Sequence, residues 1–271
     1  MDCISQILLR KQSRNLECLY SLLPETACRN AAEALLSQKH GNIFIITGFY
    51  CFGQGETDGP IGSHFLALAL QKLGYFPIIV TDEYSIAYFQ TENYTTLKYG
   101  FSTNAQQLLQ TYSPQALIAI ERCGRATDGH YYSMKKKDIS AFTPPLDDLF
   151  IQKNACIPSI GIGDGGNEIG MGNFYDTLLQ HTDIIPSCVC VDYPIVSTVS
   201  NWGAYGLIAA LSVLSKKDLL PSDAAVETFL QQLVHIGAPD GILGPNHCST
   251  DGFEISMDFE ILAALRKNNC D

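Results

Sequence analysis

A doubly wound α/β fold, built on a mostly parallel sheet with an N-terminal helical extension, is the fold class that the sequence predicts. From residue 42 onward, short apolar runs alternate with stretches of helical periodicity. The runs are apolar throughout, as expected of strands that helices cover on both faces of a parallel sheet. Polar, glycine-containing segments follow several of these runs, at the positions where such sheets bind ligands.

Residues 1–40 are expected to form the helical extension. Leucine and isoleucine recur there near the helical period, at Ile4, Leu8, Leu9, Leu16, Leu19, Leu22 and Leu23. Pro24 marks a restart, and a second helix over AAEALLSQ ends before Gly41. The chain therefore divides into an extension over residues 1–40 and an α/β domain over residues 41–271.

The elements of the α/β domain follow from the same patterns. Strands are predicted at residues 42–47, 77–80, 116–120, 156–160 and 187–191, with a weaker strand near Tyr94. In the last run, Cys188 and Cys190 alternate with valines and are expected to point inward. Helices are predicted over residues 61–73, near Glu83, over 104–110 and 146–154, after Met171, and over 196–214, 224–235 and 254–266.

Composition restricts the classes of partner. The 271 residues carry a formal net charge of -11, which disfavours nucleic acid and anionic membrane surfaces. A small molecule or a metal cation fits that charge better. No apolar run reaches the roughly 18 residues that a membrane span requires. The sequence leaves open a homo-oligomer.

The cysteines predict a reducing environment. Ten cysteines are scattered along the chain without a CxxC pair, and no secretory signal precedes them. This arrangement favours reduced thiols in a cytoplasmic protein over a disulfide framework.

The segment Gly161 to Asn173, GIGDGGNEIGMGN, is the candidate site around which the sequence is organised. It holds six glycines, two carboxylates and two carboxamides, directly after an apolar run. Glycine tolerates positive φ and lets backbone approach a ligand closely. A strand ending in this loop can therefore surround a small polar ligand or a cation. The alternative is an ordinary loop with turn glycines and solvated acids.

Acidic segments follow three of the predicted strands. Each contains an Asp-Gly pair, at Asp58, Asp128 and Asp164, and the pair recurs at Asp240 and Asp251. Since the carboxyl ends of parallel strands lie at one edge of the sheet, these acids are expected to converge there. Carboxylate and carboxamide oxygens suit hard cations such as Mg2+ or Mn2+. Turns in an ordinary loop remain the alternative for each single pair.

Familiar catalytic motifs do not account for the chain, which contains no GxSxG, HExxH or Walker sequence. A GxGxxG match at Gly161, Gly163 and Gly166 follows a late strand, and nearby acids would crowd a pyrophosphate, so dinucleotide binding is disfavoured. Two other classes stay open. One is a metal-dependent phosphohydrolase acting on a small phosphate ester, and the other is a non-catalytic metal or metabolite binder.

Several strings resemble the D-glutamate cyclase family, namely TGF, GETDGPIGS, IERCGRATDGHYYSM, GIGDGGNEIGMGN, SNWGAYGL and the closing TDGF. They span about residues 42–255, and GDGGNEIGMGN is the most specific of them. The resemblance implies a lyase of amino-acid metabolism that converts D-glutamate to 5-oxo-D-proline and water. It also implies a Rossmann-like α/β fold and a divalent metal, Mn2+ or Mg2+.

The acids of these strings are assigned to the metal and to proton transfer. Asp58, Asp164 and Glu168 are the expected metal ligands, with Asn167 and Glu121 as further candidates. Glu121, Asp164 and Glu168 are the expected catalytic groups, because a carboxylate near the amine can take its proton and assist the departure of water.

Polar side chains beside these acids are assigned to the substrate. Contacts are expected from Thr57, Ser63, Arg122 and Asn167. The fork of an arginine suits an α-carboxylate and offsets the negative charge of the acidic loops. Arg122 and Arg125 can instead serve structural ion pairs.

Overall fold

A computed structural model describes residues 3–268, except for residues 12, 13, 15, 25, 91 and 92. Its sheet contains the strands β1 Asn42–Thr47, β2 Phe76–Thr81, β3 Thr95–Lys98, β4 Ala116–Ile120, β5 Ser159–Gly163 and β6 Tyr193–Val196. The helices are α1 Cys3–Leu8, α2 Ala27–Leu36, α3 Pro60–Lys72, α4 Ala105–Tyr112, α5 Asp148–Gln152, α6 Tyr175–His181, α7 Ser200–Ser215, α8 Asp223–Ile236 and α9 Ile255–Asn268.

The sheet is parallel throughout and has the strand order β3-β2-β1-β4-β5-β6. This is the order of the Rossmann fold, in which the direction of winding reverses between β1 and β4. The doubly wound α/β fold class is confirmed, with helices at its N-terminus. Two short hairpins lie outside the sheet, one over residues 50–55 and the other over residues 249–254.

Both faces of the sheet are covered, as the apolar strands require. Ile43 and Ile45 of β1 belong to one hydrophobic core, which also contains most of α7. Phe44 and Ile46 belong to a second core on the opposite face. Successive side chains of a strand point to opposite faces, so a strand in the middle of the sheet must be apolar at every position.

The N-terminal helices pack against the sheet domain. Ile7, Leu8, Cys28 and Leu35 are buried in the same core as the strands and α7. A 3-10 helix at Leu16–Leu19 contributes two buried leucines to a smaller core beside α6. Residues 1 and 2, which the predicted first helix includes, lie outside the described residues.

Two predicted strands differ from the structure. The strand predicted at 156–160 begins only at Ser159, because residues 154–157 form a turn in which the Ile157 amide donates to Asn154. The prediction of a strand at 187–191 is wrong, and the last strand of the sheet is Tyr193–Val196.

The segment 187–191 is irregular because its backbone groups pair with loops. The carbonyl of Val189 accepts the amides of Gly170 and Gly172, and the amide of Cys188 donates to the Arg125 carbonyl. Val189 is buried whereas Cys190 is exposed, so the predicted inward direction of the cysteines is also wrong. The helix predicted near Glu83 is a short 3-10 helix at Ile86–Phe89.

Among the described residues, no helix has the length and apolar character needed to cross a membrane.

Candidate active site

Three carboxylates from separate parts of the chain meet at the carboxyl edge of the sheet. Glu121 directly follows β4, Asp164 directly follows β5, and Asp58 ends the loop that leads from β1 into α3. Oxygens of the three lie within 4.8 Å of one another, and all three side chains are buried. Since β1 and β4 flank the reversal of strand order, this acid cluster lies in the crevice where open α/β sheets bind ligands.

The N-terminus of α7 holds the acid cluster together. The amides of Ser200 and Asn201 donate to Asp58 at 2.8 and 2.7 Å, and the Ser200 amide also reaches Asp164 at 3.1 Å. The Ser200 hydroxyl donates to Glu121 at 2.6 Å. The first amides of a helix lack partners within it and carry partial positive charge, so they stabilise carboxylates. Ser200 therefore contacts all three acids.

The Asn201 side chain fixes the approach of α3. Its Oδ1 accepts the amides of Gly59 at 2.9 Å and Gly62 at 2.8 Å, and its Nδ2 donates to the Thr57 carbonyl at 3.2 Å. A Cβ at Gly62 would lie 2.7 Å from the Cβ of Ala204, so glycine allows α3 and α7 to pack closely. This packing sets the position of the loop that carries Asp58.

Glu121 has an unusual backbone. Its φ of 45° lies in the left-handed region, which a residue with a side chain adopts at an energetic cost. The chain turns there to leave the sheet, and the Glu121 amide donates to the carbonyl of Ile162 in the neighbouring strand at 3.2 Å. Strain of this kind is concentrated at functional sites.

Burial raises the pKa values of the acids. Burial and the nearby Asp251 raise the pKa of Asp58 to about 7. Burial and Glu168 raise the pKa of Glu121 well above its usual range, and burial likewise raises the pKa of Asp164. Neighbouring buried carboxylates repel one another when ionised, so a cluster of this kind must share protons or a cation.

The glycine-rich loop folds back over β5. A Cβ at Gly161 would lie 2.5 Å from the carbonyl oxygen of Ile169, so glycine is needed for this approach. Within the loop, the Glu168 carboxylate accepts the amides of Gly165 at 2.6 Å and Gly166 at 2.7 Å. Glu168 thereby fixes the shape of the loop that presents Asp164.

The observed acid cluster differs from the expected ligand set in one member. It contains Asp58 and Asp164 as expected, together with Glu121, which the sequence suggested as a further ligand. Glu168 is buried next to the cluster, but its oxygens accept hydrogen bonds from its own loop. A metal-binding role for Glu168 stays a prediction.

The chain is similar to known proteins along nearly its whole length. The model of the family described as D-glutamate cyclase-like, C-terminal, matches residues 7–266. The chain belongs to this family. The human protein D-glutamate cyclase, mitochondrial, is 36% identical over 212 residues, which represent 67% of this chain and 34% of the human protein. This member of the family thus matches about a third of the length of that relative.

In this D-glutamate cyclase-like domain, three of the predicted substrate residues are buried near the acids. The Thr57 hydroxyl donates to the Ser249 carbonyl at 2.9 Å. Asn167 donates through Nδ2 to the Tyr132 carbonyl at 2.8 Å, and its Oδ1 has no hydrogen-bond partner among the described residues. The Ser63 hydroxyl is likewise buried without a partner in the described part of the chain. Their contacts with substrate stay predictions.

The two arginines form the structural ion pairs that the sequence left open. Arg122 is 1% exposed, pairs with Asp82, and donates to the carbonyls of Gly48 at 2.6 Å and Pro144 at 2.7 Å. Arg125 pairs with Asp147 and Asp148. The contacts of Arg122 connect the loops that follow β1, β2 and β4. A substrate contact from Arg122 stays a prediction, and it would require rearrangement of the ion pair with Asp82.

The remaining Asp-Gly pairs have separate roles. Asp240 accepts the amides of Ile242, Leu243 and Gly252 and the Ser249 hydroxyl, so it stabilises a turn. Asp128 lies in an exposed turn, where it accepts the amide of His130 and the hydroxyl of Tyr132. Asp251 is different, because it lies beside the acid cluster and raises the pKa of Asp58.

Sequence reasoning missed Arg14, Glu56 and Ser200. Arg14 forms ion pairs with Asp164 and with Asp251, the latter at 2.6 Å, from a segment that matches no motif. Glu56 lies in the GETDG string and is buried with a raised pKa. Ser200 has a recognisable signal, since Ser-Asn before an apolar helical run is typical of a helix start.

The donors of this family member fit a divalent cation. Carboxylate oxygens are the ligands that Mg2+ and Mn2+ prefer, and Asp58, Glu121 and Asp164 supply oxygens that lie within 4.8 Å of one another. A cation also offsets the repulsion that accompanies the raised pKa values of these acids.

Proposed function

We propose that this protein cyclises D-glutamate to 5-oxo-D-proline with loss of water, supported by bound Mg2+ or Mn2+. The observation that carries the proposal is the buried cluster of Asp58, Glu121 and Asp164 at the reversal of strand order. The family match and the 36% identity to a protein named D-glutamate cyclase support this choice of reaction, which is that of a hydro-lyase.

The reaction needs assistance at two groups of the substrate. A bond forms between the α-amine nitrogen and the γ-carboxyl carbon, while a carbon-oxygen bond of that carboxyl breaks and its oxygen leaves as water. The amine is mostly protonated at neutral pH, and the carboxylate resists attack because it is anionic. The lactam nitrogen keeps one of the three ammonium hydrogens, so a catalyst must move two protons from nitrogen to the departing oxygen and neutralise charge on that oxygen.

Asp58, Glu121 and Asp164 are the residues that would hold the metal. When bound, a divalent cation at such a site polarises a carboxylate and offsets the charge that develops on its oxygen. The amides of Ser200 and Asn201 keep Asp58 in place, and the Ser200 hydroxyl orients Glu121. Holding the substrate folded supplies much of the remaining advantage, because both reacting groups belong to one molecule.

Glu121 is our candidate for the proton carrier. Its carboxylate can act as a general base, and the Ser200 hydroxyl orients it at 2.6 Å. Its left-handed backbone places it directly at the end of β4. We propose that Glu121 carries two protons in turn from the substrate nitrogen to the departing oxygen, which leaves as water, with Asp164 and Glu168 maintaining the charge and shape of the site.

Incubation of the purified protein with D-glutamate and Mn2+ or Mg2+ tests this function. Mass spectrometry should detect the loss of one water, and chiral chromatography should identify the product as 5-oxo-D-proline. L-Glutamate in a parallel reaction reports the stereochemical preference. Release of phosphate from small esters, with no lactam formed from D-glutamate, would instead indicate a phosphohydrolase.

The first prediction is that Asp164→Asn abolishes metal-supported turnover and leaves the protein folded. The substitution removes one ligand charge from the buried cluster while nearly preserving side-chain volume. Asp176→Asn is the matched control, because Asp176 is an exposed acid of α6. Turnover by Asp164→Asn at the rate of that control would exclude Asp164 from the active site.

We also propose a cytoplasmic location. The ten cysteines are scattered without a CxxC pair, an arrangement that favours a reducing compartment.

A further inference from the structure

The N-terminal segment brings one arginine to the edge of the acid cluster. Arg14 pairs through Nη1 with Asp164 and through Nη2 with Asp251, the latter at 2.6 Å. Its side chain is 15% exposed, whereas those of Asp164 and Asp251 are 0% and 4% exposed. Arg14 is therefore the more exposed partner of both ion pairs.

Described residues before and after Arg14 in the sequence contact the sheet domain. Before it, the carbonyl of Leu8 accepts the Thr198 amide at 2.9 Å, close to the start of α7. After it, Leu16 and Leu19 are fully buried in a core that they share with residues of α6 and β6. Leu8 and Leu16, which precede and follow Arg14 in the sequence, thus both contact elements of the sheet domain.

The edge of the sheet around Arg14 is rich in buried acids. Besides Asp82 and Asp147, which pair with Arg122 and Arg125, seven acids with 6% exposure or less are found in the loops at this edge of the sheet, namely Glu56, Asp58, Glu121, Asp164, Glu168, Asp240 and Asp251. Among the ion pairs of the described residues, Arg14 is the base that pairs with members of this set. The guanidinium of Arg122 pairs with Asp82, and that of Arg125 pairs with Asp147 and Asp148.

We propose that Arg14 binds the α-carboxylate of the substrate. This assignment rests on the proposed function, in which the substrate brings two carboxylates toward a strongly acidic site. A guanidinium has a planar fork that binds carboxylates through paired, charge-assisted hydrogen bonds. Arg14 already pairs with the carboxylates of Asp164 and Asp251. The α-carboxylate of the substrate replaces that of Asp251 at the guanidinium, so one carboxylate is exchanged for another.

The exchange also explains how a substrate with two carboxylates enters an acidic site. A divalent cation reduces the charge of the acid cluster, and Arg14 neutralises the carboxylate that takes no part in ring closure. That carboxylate is retained in 5-oxo-D-proline, so the product should contact Arg14 as the substrate does. Binding of the product thus reports on the contact without turnover.

The test compares two ligands and three forms of the full-length protein in the presence of Mn2+. The ligands are 5-oxo-D-proline and 5-oxo-D-prolinamide, which has an uncharged amide in place of the carboxylate. The proteins are wild type, Arg14→Gln, and Arg10→Gln as a control that removes an exposed charge from the same segment. Titration calorimetry gives the affinities, and thermal melting shows that each protein is folded.

Wild type and Arg10→Gln should bind the carboxylate ligand at least about tenfold more tightly than the amide, as a charge-assisted pair implies. Arg14→Gln should lose this preference, and its KM for D-glutamate should rise by a similar factor. Arg14→Lys, which keeps the charge without the fork, should be intermediate, and it replaces Arg14→Gln if that variant does not fold. Mn2+ should bind Arg14→Gln at least as tightly as wild type, because a competing cation has been removed.

An undiminished preference for the carboxylate in Arg14→Gln would overturn the assignment of Arg14 alone. A wild-type protein that neither binds 5-oxo-D-proline nor converts D-glutamate would overturn the proposed function, and the assignment with it. The two failures are therefore distinguished by the wild type.

Discussion

Gly165 and Gly166 are adjacent, yet different neighbours restrict them. Gly166 has a φ of 103°, and a Cβ there would lie 2.3 Å from Cδ1 of Ile184. A Cβ at Gly165 would lie 2.7 Å from Oε1 of Glu168 and 2.6 Å from Sδ of Met134. One glycine is therefore required by backbone conformation and core packing, and the other by the carboxylate that shapes the loop.

Alanine substitutions at these two positions should separate stability from metal binding. Gly166→Ala should lower the free energy of unfolding by about 1 kcal/mol or more, since alanine at positive φ is strained. Gly165→Ala should weaken Mn2+ binding more than it weakens folding, because it displaces the Glu168 carboxylate beside Glu121. Urea unfolding and Mn2+ calorimetry measure the two quantities.

Gly129→Ala supplies the control for strain alone, since Gly129 also has positive φ, at 85°, and has open space around it. If both loop variants lose stability while the folded proteins bind Mn2+ normally, the loop is a scaffold and Glu168 does not influence the metal site.

At the scale of residues, the sequence predicted the acids better than their partners. Asp58 and Asp164 could be found because each ends a segment that follows an apolar strand. The sequence could not show that Glu121, and not Glu168, is the third member of the acid cluster. That outcome depends on hydrogen bonds that the Glu168 carboxylate accepts from amides of its own loop. The ion pair of Arg14 with Asp164 spans 150 residues, and no local pattern records such a contact.

At the scale of elements, α3 and α7 together shape the site. Both helices are buried over most of their length, and their close contact holds the loop of Asp58 against the N-terminus of α7. On another side of α3, the ring of His64 stacks on Phe229 with a centroid distance of 4.1 Å, and its Nδ1 lies 2.9 Å from the Tyr94 hydroxyl. Burial lowers the pKa of His64 from 6.5 to about 4.

His64 should make stability fall as the pH falls. Its folded-state pKa is below the unfolded value, so between about pH 6.5 and pH 4 the unfolded chain binds a proton that the folded chain does not. Relative to His64→Gln, the wild type should lose about 2 kcal/mol of unfolding free energy between about pH 7 and pH 5. Urea titrations at several pH values give this difference.

His235→Gln is the control for this effect, because His235 is an exposed histidine of α8. Its stability should follow that of the wild type across the range. Parallel curves for wild type and His64→Gln would contradict a neutral, buried His64.

The elements themselves were predictable to different degrees. The run at 42–47 was found because a central parallel strand is apolar on both faces, and the structure confirms its bounds. The run at 187–191 has the same composition, but its amides and carbonyls pair with the glycine-rich loop and with Arg125. Composition reports burial, and it does not report which backbone groups a segment will pair with.

At the scale of the whole molecule, strand order brings the acids together. Asp58, Glu121 and Asp164 are far apart in the chain, but β1, β4 and β5 are consecutive neighbours in the sheet. Once a parallel sheet was predicted, convergence at one edge followed, and the fold class therefore predicted the acid cluster. The N-terminal helices complete this arrangement, because they deliver Arg14 to the same edge.

A divalent cation should stabilise the entire fold through the acid cluster. The three acids belong to three different segments, so the site exists only when the chain is folded, and a ligand of the native state raises stability with its concentration. At about 100 times the dissociation constant, the gain is about 2.7 kcal/mol. Thermal melting in increasing Mn2+ should show a rising midpoint for wild type and for Asp176→Asn, and a much smaller rise for Asp58→Asn. Excess chelator should reverse the shift. An unchanged midpoint at millimolar Mn2+, or an equal rise in Asp58→Asn, would show that the acid cluster does not bind the metal.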